Sequence, residues 1–318
     1  MTSVATVAPA ARQPGPPVRA PRPAPGRQVR PRRPRPPVPP TPDGPAVVVW
    51  ACSLVAVLCA WLLLHALTLS WLEQGRSQQD LYDDLRQQLA AQTAPTGAEI
   101  EVGAPVALLS IPTLGLEQVV VEGTASGDLQ AGPGHRRNTV LPGQAGVSIV
   151  YGRTTTYGAP FRSIGMLRAG DGVRVTTAQG EFVFRVDGVR RDGDPLPAPL
   201  PSDGARLTLV TADRSGALGA LVPDQAIYVD ATLQGDAVGA PPGRPGAIPE
   251  AEEALHGDTG VLPLLALSLQ VLVLVAVVLV LLRPRVPTRL LWTLGAPVVV
   301  AALWWATDLA TQLLPNLG

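Results

Sequence analysis

Few side chains in this sequence can do chemistry, and most of those sit in unpromising places. Cysteine supplies a nucleophile or metal ligand and histidine a proton carrier, and the chain holds only two cysteines and three histidines. Cys52 and Cys59 fall in one uncharged apolar run, so neither serves a water-exposed site or a structural disulfide there. His65 lies in the same run with no acid or second histidine inside it, and reads as a tolerated polar residue near a membrane interface rather than a proton relay or metal ligand. His135, in Gly-Pro-Gly-His, is expected to be structural or at the surface, and His256 to be solvated. The hydroxyls of Ser148, Thr211 and Ser215 need a neighbouring base; the only nearby acid, Asp213, reads as capping or solvating a strand end. Arg153, Arg206 and Arg214 could hold a carboxylate, although solvated strand ends are the plainer reading. Neither a metal-ligand cluster nor a phosphate-binding loop is present in the pattern, so no metal or cofactor is expected.

The elements that must position these residues follow from composition and periodicity. The 318 residues carry 25 basic and 25 acidic groups, yet the charge is uneven. All basic residues are arginine, which with heavy Ala, Gly and Pro usage suggests a GC-rich bacterial genome. Eight of the arginines, Arg12 to Arg35, crowd residues 1–45, a Pro/Arg-rich stretch too poor in apolar groups to fold. This tail is expected to be disordered and cytoplasmic, acting as a topology determinant beside a membrane span; binding to anionic lipid or nucleic acid is the weaker reading. Residues 46–72 are uncharged and exceed the roughly 20 residues a bilayer core requires, so they form a first transmembrane helix. Leu81, Leu85 and Leu89 then mark one stripe of a short stalk helix over residues 73–95.

From residue 96 to 235 the pattern becomes strand-like, with short alternating segments such as GVSIVYG, GVRVTT, EFVFRVDGV and RLTLVTA between Gly, Pro and Asp turns. One helical turn, FRSIGML, interrupts them, and the fold class is therefore mainly β, a closed barrel or sandwich. Residues 236–259 read as a linker, 261–282 as a second transmembrane helix and 290–309 as a third, kinked at Pro297. Arg283, Arg285 and Arg289 lie in the connection 283–289. Positive charge favours the cytoplasmic side, so tail and connection are expected inside and the β domain outside a plasma membrane.

Within the β domain, LLSIPTLGLEQVVVEG, LQAGPGHRRNTVLPGQAGVSIVYG, RTTTYGAPFRSIGMLRAGDGVRVTT, LTLVTA and AIYVDATL follow one another in an order that resembles a sortase domain of the actinobacterial type. The resemblance implies a sortase-like closed β-barrel with a short helix. It further implies a thiolate nucleophile at the end of LTLVTA, a histidine after the strand VSIVYG and an arginine opening the last strand. At these positions the chain has Ala212, Gly152 and Ala226, or Gln225 if the count shifts by one. A methyl group cannot attack a carbonyl. The expected function is thus a membrane-anchored, catalytically inactive sortase-like protein that binds or scaffolds in cell-envelope protein assembly. Its partners would be the lipid bilayer and an active sortase, a sorting-signal protein or another envelope protein, with no nucleic acid; Arg153, Thr211 and Arg214 would line the remnant cleft. The alternative is a transpeptidase or hydrolase using Thr211 or Ser148 with His135.

Overall fold

The computed structural model describes residues 43–97, 99–214 and 225–318. The tail expected over residues 1–45 lies almost wholly outside them, as does Ser215. Eight strands form the central body: β1 (Pro105–Ile111), β2 (Leu116–Glu122), β3 (Gly134–His135), β4 (Gly146–Tyr151), β5 (Gly172–Thr177), β6 (Gly180–Arg191), β7 (Ala205–Ala212) and β8 (Ala226–Leu233). They close in the order β1-β2-β3-β4-β7-β8-β6-β5, so the mainly β, closed-barrel expectation holds. Closure leaves no long unpaired sheet edge. Inside, Val150, Phe184, Leu207, Leu209, Val229 and Ala231 alternate inward along their strands into one core. The helical turn FRSIGML appears as a single 3-10 turn, Ile164–Met166.

One pairing decides where chemistry could sit. β4 runs parallel to β7, with Tyr151 opposite Val210, and β7 is antiparallel to β8, with Ala212 opposite Ala226. The end of β4, the end of β7 and the start of β8 therefore meet at one rim of the barrel.

Outside the barrel the structure departs from the sequence reading. The residues expected as a first span and a stalk run as one continuous rod: α1 (Asp43–Leu64) passes through a π-helical turn, His65–Leu69, straight into α2 (Ser70–Ala91). Rather than holding the barrel at a distance, α2 packs on it. Gln78 accepts from the Val119 amide at 2.7 Å and donates to the carbonyls of Val119 and Ala131 at 3.1 and 2.8 Å. Its carboxamide imitates a neighbouring strand along β2, whose ladder with β3 covers only Val121 and Glu122. A glutamine on a helix reads as solvated in sequence, which hid this docking.

The expected linker 236–259 is likewise folded down. Ala145 donates to Val238 O at 2.8 Å and Val238 donates to Gly143 O at 3.0 Å. Arg137 clasps Glu252, its Nε 2.9 and 3.0 Å from the two carboxylate oxygens, and Thr124 donates to Glu252 O at 2.7 Å. Arg244 pairs with Glu122, a fully buried carboxylate on β2 that also faces His135 Nδ1 at 2.9 Å. Gly- and Pro-rich composition argues against regular structure, not against anchoring by a few long-range side chains.

A single helical turn, α3 (Asp128–Ala131), follows β2, and among the described residues two helices are long and apolar enough to cross a membrane: Thr259–Leu282, which includes α4 (Leu262–Leu282), and α5 (Thr288–Thr311). The span expected first, over residues 46–72, is represented among the described residues by a shorter apolar stretch, Val55–Leu64. α5 contains Pro297 within one helical segment.

Removing one partner from a buried ion cluster strands the others. Glu122→Ala should therefore lower unfolding stability by roughly 3–5 kcal/mol, with protease cleavage within residues 236–258 appearing before the barrel itself is cut; unchanged proteolysis would show that the segment is held by other contacts.

Candidate functional site

The three positions singled out in the sequence come together at the barrel rim. Gly152 donates to Val210 O at 3.0 Å, Thr211 Oγ1 donates back to Gly152 O at 2.7 Å, and Ala212 faces Ala226 across the ladder. The space around them is filled. A Cβ built on Gly152 would lie 2.4 Å from two ring atoms of Phe161, a fully buried side chain, so nothing larger than hydrogen fits there without repacking. Strand alternation turns Ala212 and Val210 outward from the core, and there Leu317 is buried in a cluster with Leu129, Tyr151, Val210, Ala212 and Ala226.

Leu317 belongs to the segment Leu314–Gly318 that follows α5, and this segment is stitched to the rim along its length. Ser126 Oγ donates to Leu314 O at 3.3 Å. Asn316, fully buried, donates through Nδ2 to Thr124 O and Glu253 O at 2.8 and 2.9 Å, and accepts from the Leu255 amide at 2.9 Å. Thr154 N donates to Leu317 O at 3.0 Å, and Thr156 Oγ1 donates to Gly318 O at 2.9 Å. A stretch of the protein's own chain thus occupies the surface beside Ala212.

Of the residues expected to line a remnant cleft, Thr211 and Arg214 share one cavity at the end of β7, and Arg153 stands outside it. Arg153 is only 1% exposed. Its Nη2 donates to Ser126 O and Oγ at 2.7 and 2.8 Å, its Nη1 to Thr156 Oγ1 at 3.0 Å, and its guanidinium lies 5.0 Å from the Tyr157 ring. Burial pulls its pKa down to about 10. Thr211 is buried and spent on Gly152. Arg214 is exposed and shares a shallow cavity of about 220 Å³ with Thr211, Ala212, Arg162, Arg191 and Asp213. Asp213, read as a solvated strand-end residue, is ion-paired with Arg191 at 2.9 Å.

Among the described residues, the fold does not bring His135 to Thr211 or Ser148. His135 is fully buried, held at Nδ1 by Glu122 and at Nε2 by Val140 O at 2.8 Å, with Thr139 Oγ1 at 3.2 Å. Thr211 donates elsewhere, and the buried Ser148 hydroxyl has no hydrogen-bond partner. His256 takes a backbone contact with Ala254 O at 3.0 Å and remains part-exposed.

A larger groove, about 550 Å³, opens on the outer face of β4, β7 and β8 next to the Leu317 cluster. Arg136, Arg190, Arg206, Tyr151, Tyr228 and Asp230 line it. Arg190 pairs with Asp230 at 2.6 Å and lies 4.2 Å over the Tyr228 ring; Thr208 also donates to Asp230 at 2.7 Å. Burial pushes the Tyr228 hydroxyl up to about 12. Arg206 donates to Ala198 O at 2.7 Å, while its Nε and that of Arg136 are buried without a hydrogen-bond partner. Sequence reading missed this groove except for Arg206. The signal was there: Arg206-x-Thr208-x-Val210 and Tyr228-x-Asp230 put polar groups on the face opposite the core.

Residues 109–229 match the family model of the sortase domain. They form a domain of the sortase family. A curated relative, Sortase D of Bacillus subtilis (strain 168), is 34% identical over 86 residues, which cover 27% of this chain and 42% of the relative's length. Among solved structures, a Clostridium perfringens Sortase D5 transpeptidase aligns with 50% of this chain and 99% of its own at 22% identity and a TM-score of 0.41. A sortase E mutant from Streptomyces avermitilis aligns with 48% and 100% at 31% identity and a TM-score of 0.35. In this sortase domain the rim where β4, β7 and β8 meet carries Gly152, Ala212 and Ala226.

Two substitutions probe the filled rim. In a background with Cys52 and Cys59 replaced by serine, Ala212→Cys should react with thiol reagents at least roughly tenfold more slowly than after additional removal of residues 315–318, because Leu317 must leave first. Equal rates in the two chains would mean that the segment does not cover the rim in solution. Gly152→Ala should cost roughly 1–3 kcal/mol by overpacking against Phe161, read as a lower midpoint in denaturant titration.

Proposed function

We propose that this protein is a membrane-anchored, catalytically silent member of the sortase family that serves as a binding or scaffolding module in cell-envelope protein assembly. The observation that carries the reading is the rim itself: a glycine wedged under Phe161, two facing alanines, and the protein's own Leu317 laid over them. Acyl transfer to a thiolate needs a nucleophile, a proton carrier within hydrogen-bond reach and a stabiliser for the oxyanion. His135 is committed to Glu122 and Val140, and Arg153 to Ser126 and Thr156, which supports binding over chemistry. The outer groove between Arg136, Arg190 and Arg206 offers a partner more room than the cavity at Arg214, and its cations and tyrosines suit an extended segment carrying carboxylates.

In this reading the chain crosses the membrane three times, with the helix beginning at α1 as the first pass. The arginines of the tail and of residues 283–289 keep those parts in the cytoplasm, and the barrel faces outward. The partner is an active sortase, a protein carrying a sorting signal, or another envelope protein.

The full-length protein in native membranes, bearing a photo-crosslinking amino acid in place of Leu196 at the groove edge, should capture such a protein. Capture should be lost in an Arg136→Glu, Arg206→Glu double variant that still reaches the membrane at parental level. In parallel, the purified protein should not cleave a sorting-signal peptide. Turnover abolished by Thr211→Val would sink the non-catalytic reading, and capture that persists in the double variant would remove the groove from it.

A further inference from the structure

Outside the barrel, the junction of α1 and α2 meets the end of α5 in a cluster of ionisable groups that the sortase reading does not use. His65, Glu73 and Asp308 bring one ring nitrogen and two carboxylate oxygens within 4.8 Å of one another. His65 is fully buried and neither of its ring nitrogens has a hydrogen-bond partner; Glu73 Oε2 and Asp308 Oδ1 are also buried without one. His65 Nε2 and Asp308 Oδ1 are 3.2 Å apart, yet they do not meet hydrogen-bond geometry. Lone pairs that converge on a third body produce such an arrangement. Two ligand atoms at about 2.0–2.1 Å from a tetrahedral Zn²⁺ stand roughly 3.3 Å from each other. Two carboxylates facing one another in a partly desolvated site also repel unless one takes up a proton or a cation lies between them.

The helix is built to make the cluster. His65 and Glu73 are eight positions apart, and on a regular α-helix this separation leaves them about 80° apart around the axis. The π-helical turn His65–Leu69 takes up one additional residue. The effective separation becomes about seven, and the two side chains fall within roughly 20° of one face. Side chains lean toward the helix N-terminus, so Glu73 reaches back toward His65. Trp304 of α5 packs edge-on to the His65 ring with centroids 4.6 Å apart, and Trp61 donates to Thr307 Oγ1 at 3.0 Å. These contacts hold the imidazole and Asp308 in place.

We propose that His65, Glu73 and Asp308 form a site for a divalent transition-metal ion of the Zn²⁺ class, with a structural role. Imidazole and carboxylate donors suit such an ion. An ion there staples the α1–α2 rod to the end of α5, and through α5 it fixes the position from which Leu314–Gly318 reaches the barrel rim.

The test uses the full-length protein in lipid nanodiscs, purified on a histidine-free tag and stripped with chelator. It is loaded with Zn²⁺, desalted and assayed by elemental mass spectrometry, with Co²⁺ loading read by visible absorption. About one Zn²⁺ per chain and a tetrahedral-type Co²⁺ band are expected. His65→Gln and Asp308→Asn should each cut the retained metal by roughly tenfold or more while leaving the circular dichroism spectrum unchanged. Zn²⁺ should also raise the thermal midpoint of the parent and of neither variant. Metal content at background in the parent, or parental retention in both variants, would overturn the site and leave three side chains that share protons alone. None of these readouts depends on groove binding or on catalytic silence.

Discussion

The parallel pairing of β4 with β7 is the constraint on which the rest of the molecule depends. Parallel neighbours cannot be joined by a tight turn, so β5 and β6 are inserted between them and must return to the far side of the barrel. The same pairing aligns the C-terminal ends of β4 and β7. Since β8 is antiparallel to β7, its start is drawn to the same rim. Gly152, Ala212 and Ala226 are therefore neighbours whatever their side chains are, because backbone register alone places them.

What occupies that rim is then a question of packing. Val210 and the two facing alanines present apolar surface at the rim, which costs free energy in water until something covers it. Phe161 fills the space beside Gly152 and Leu317 covers the two alanines, while Asn316 and the backbone of residues 314–318 satisfy polar groups at the perimeter. Arg153, deprived of solvent, is kept charged by carbonyl and hydroxyl oxygens and by the face of Tyr157. Besides Arg214 at the rim, polar groups available to a ligand lie further along β4, β7 and β8, where Arg136 and Arg206 line the open groove.

The helices tie this rim to the apolar part of the chain. α2 docks on β2 through Gln74 and Gln78, and α5 delivers the covering segment. The π-helical turn brings its own His65 and Glu73 of α2 to one face, toward Asp308 of α5. Barrel, rod and α5 thus constrain one another through a few polar contacts rather than through one continuous apolar core.

Local rules were enough for much of this. Period-two alternation in VSIVY, RVTT and LTLV defines strands because a half-buried strand has one apolar face, and the uncharged runs around Val273 and Val298 define helices suited to lipid for a comparable reason. The ordered motifs, including Thr211-Ala212 where a thiol was expected, likewise lay in the linear chain. Tertiary structure alone decided what depends on distant partners. His65 has no acid within its own apolar run, and Asp308 comes to it from a helix 243 positions away. Gln78 looks solvated until β2 presents an unpaired edge, and Arg153 looks available until Ser126 and residues 314–318 close over it. Side-chain type and periodicity are local properties, whereas burial and pairing across hundreds of residues follow only from how the chain closes on itself.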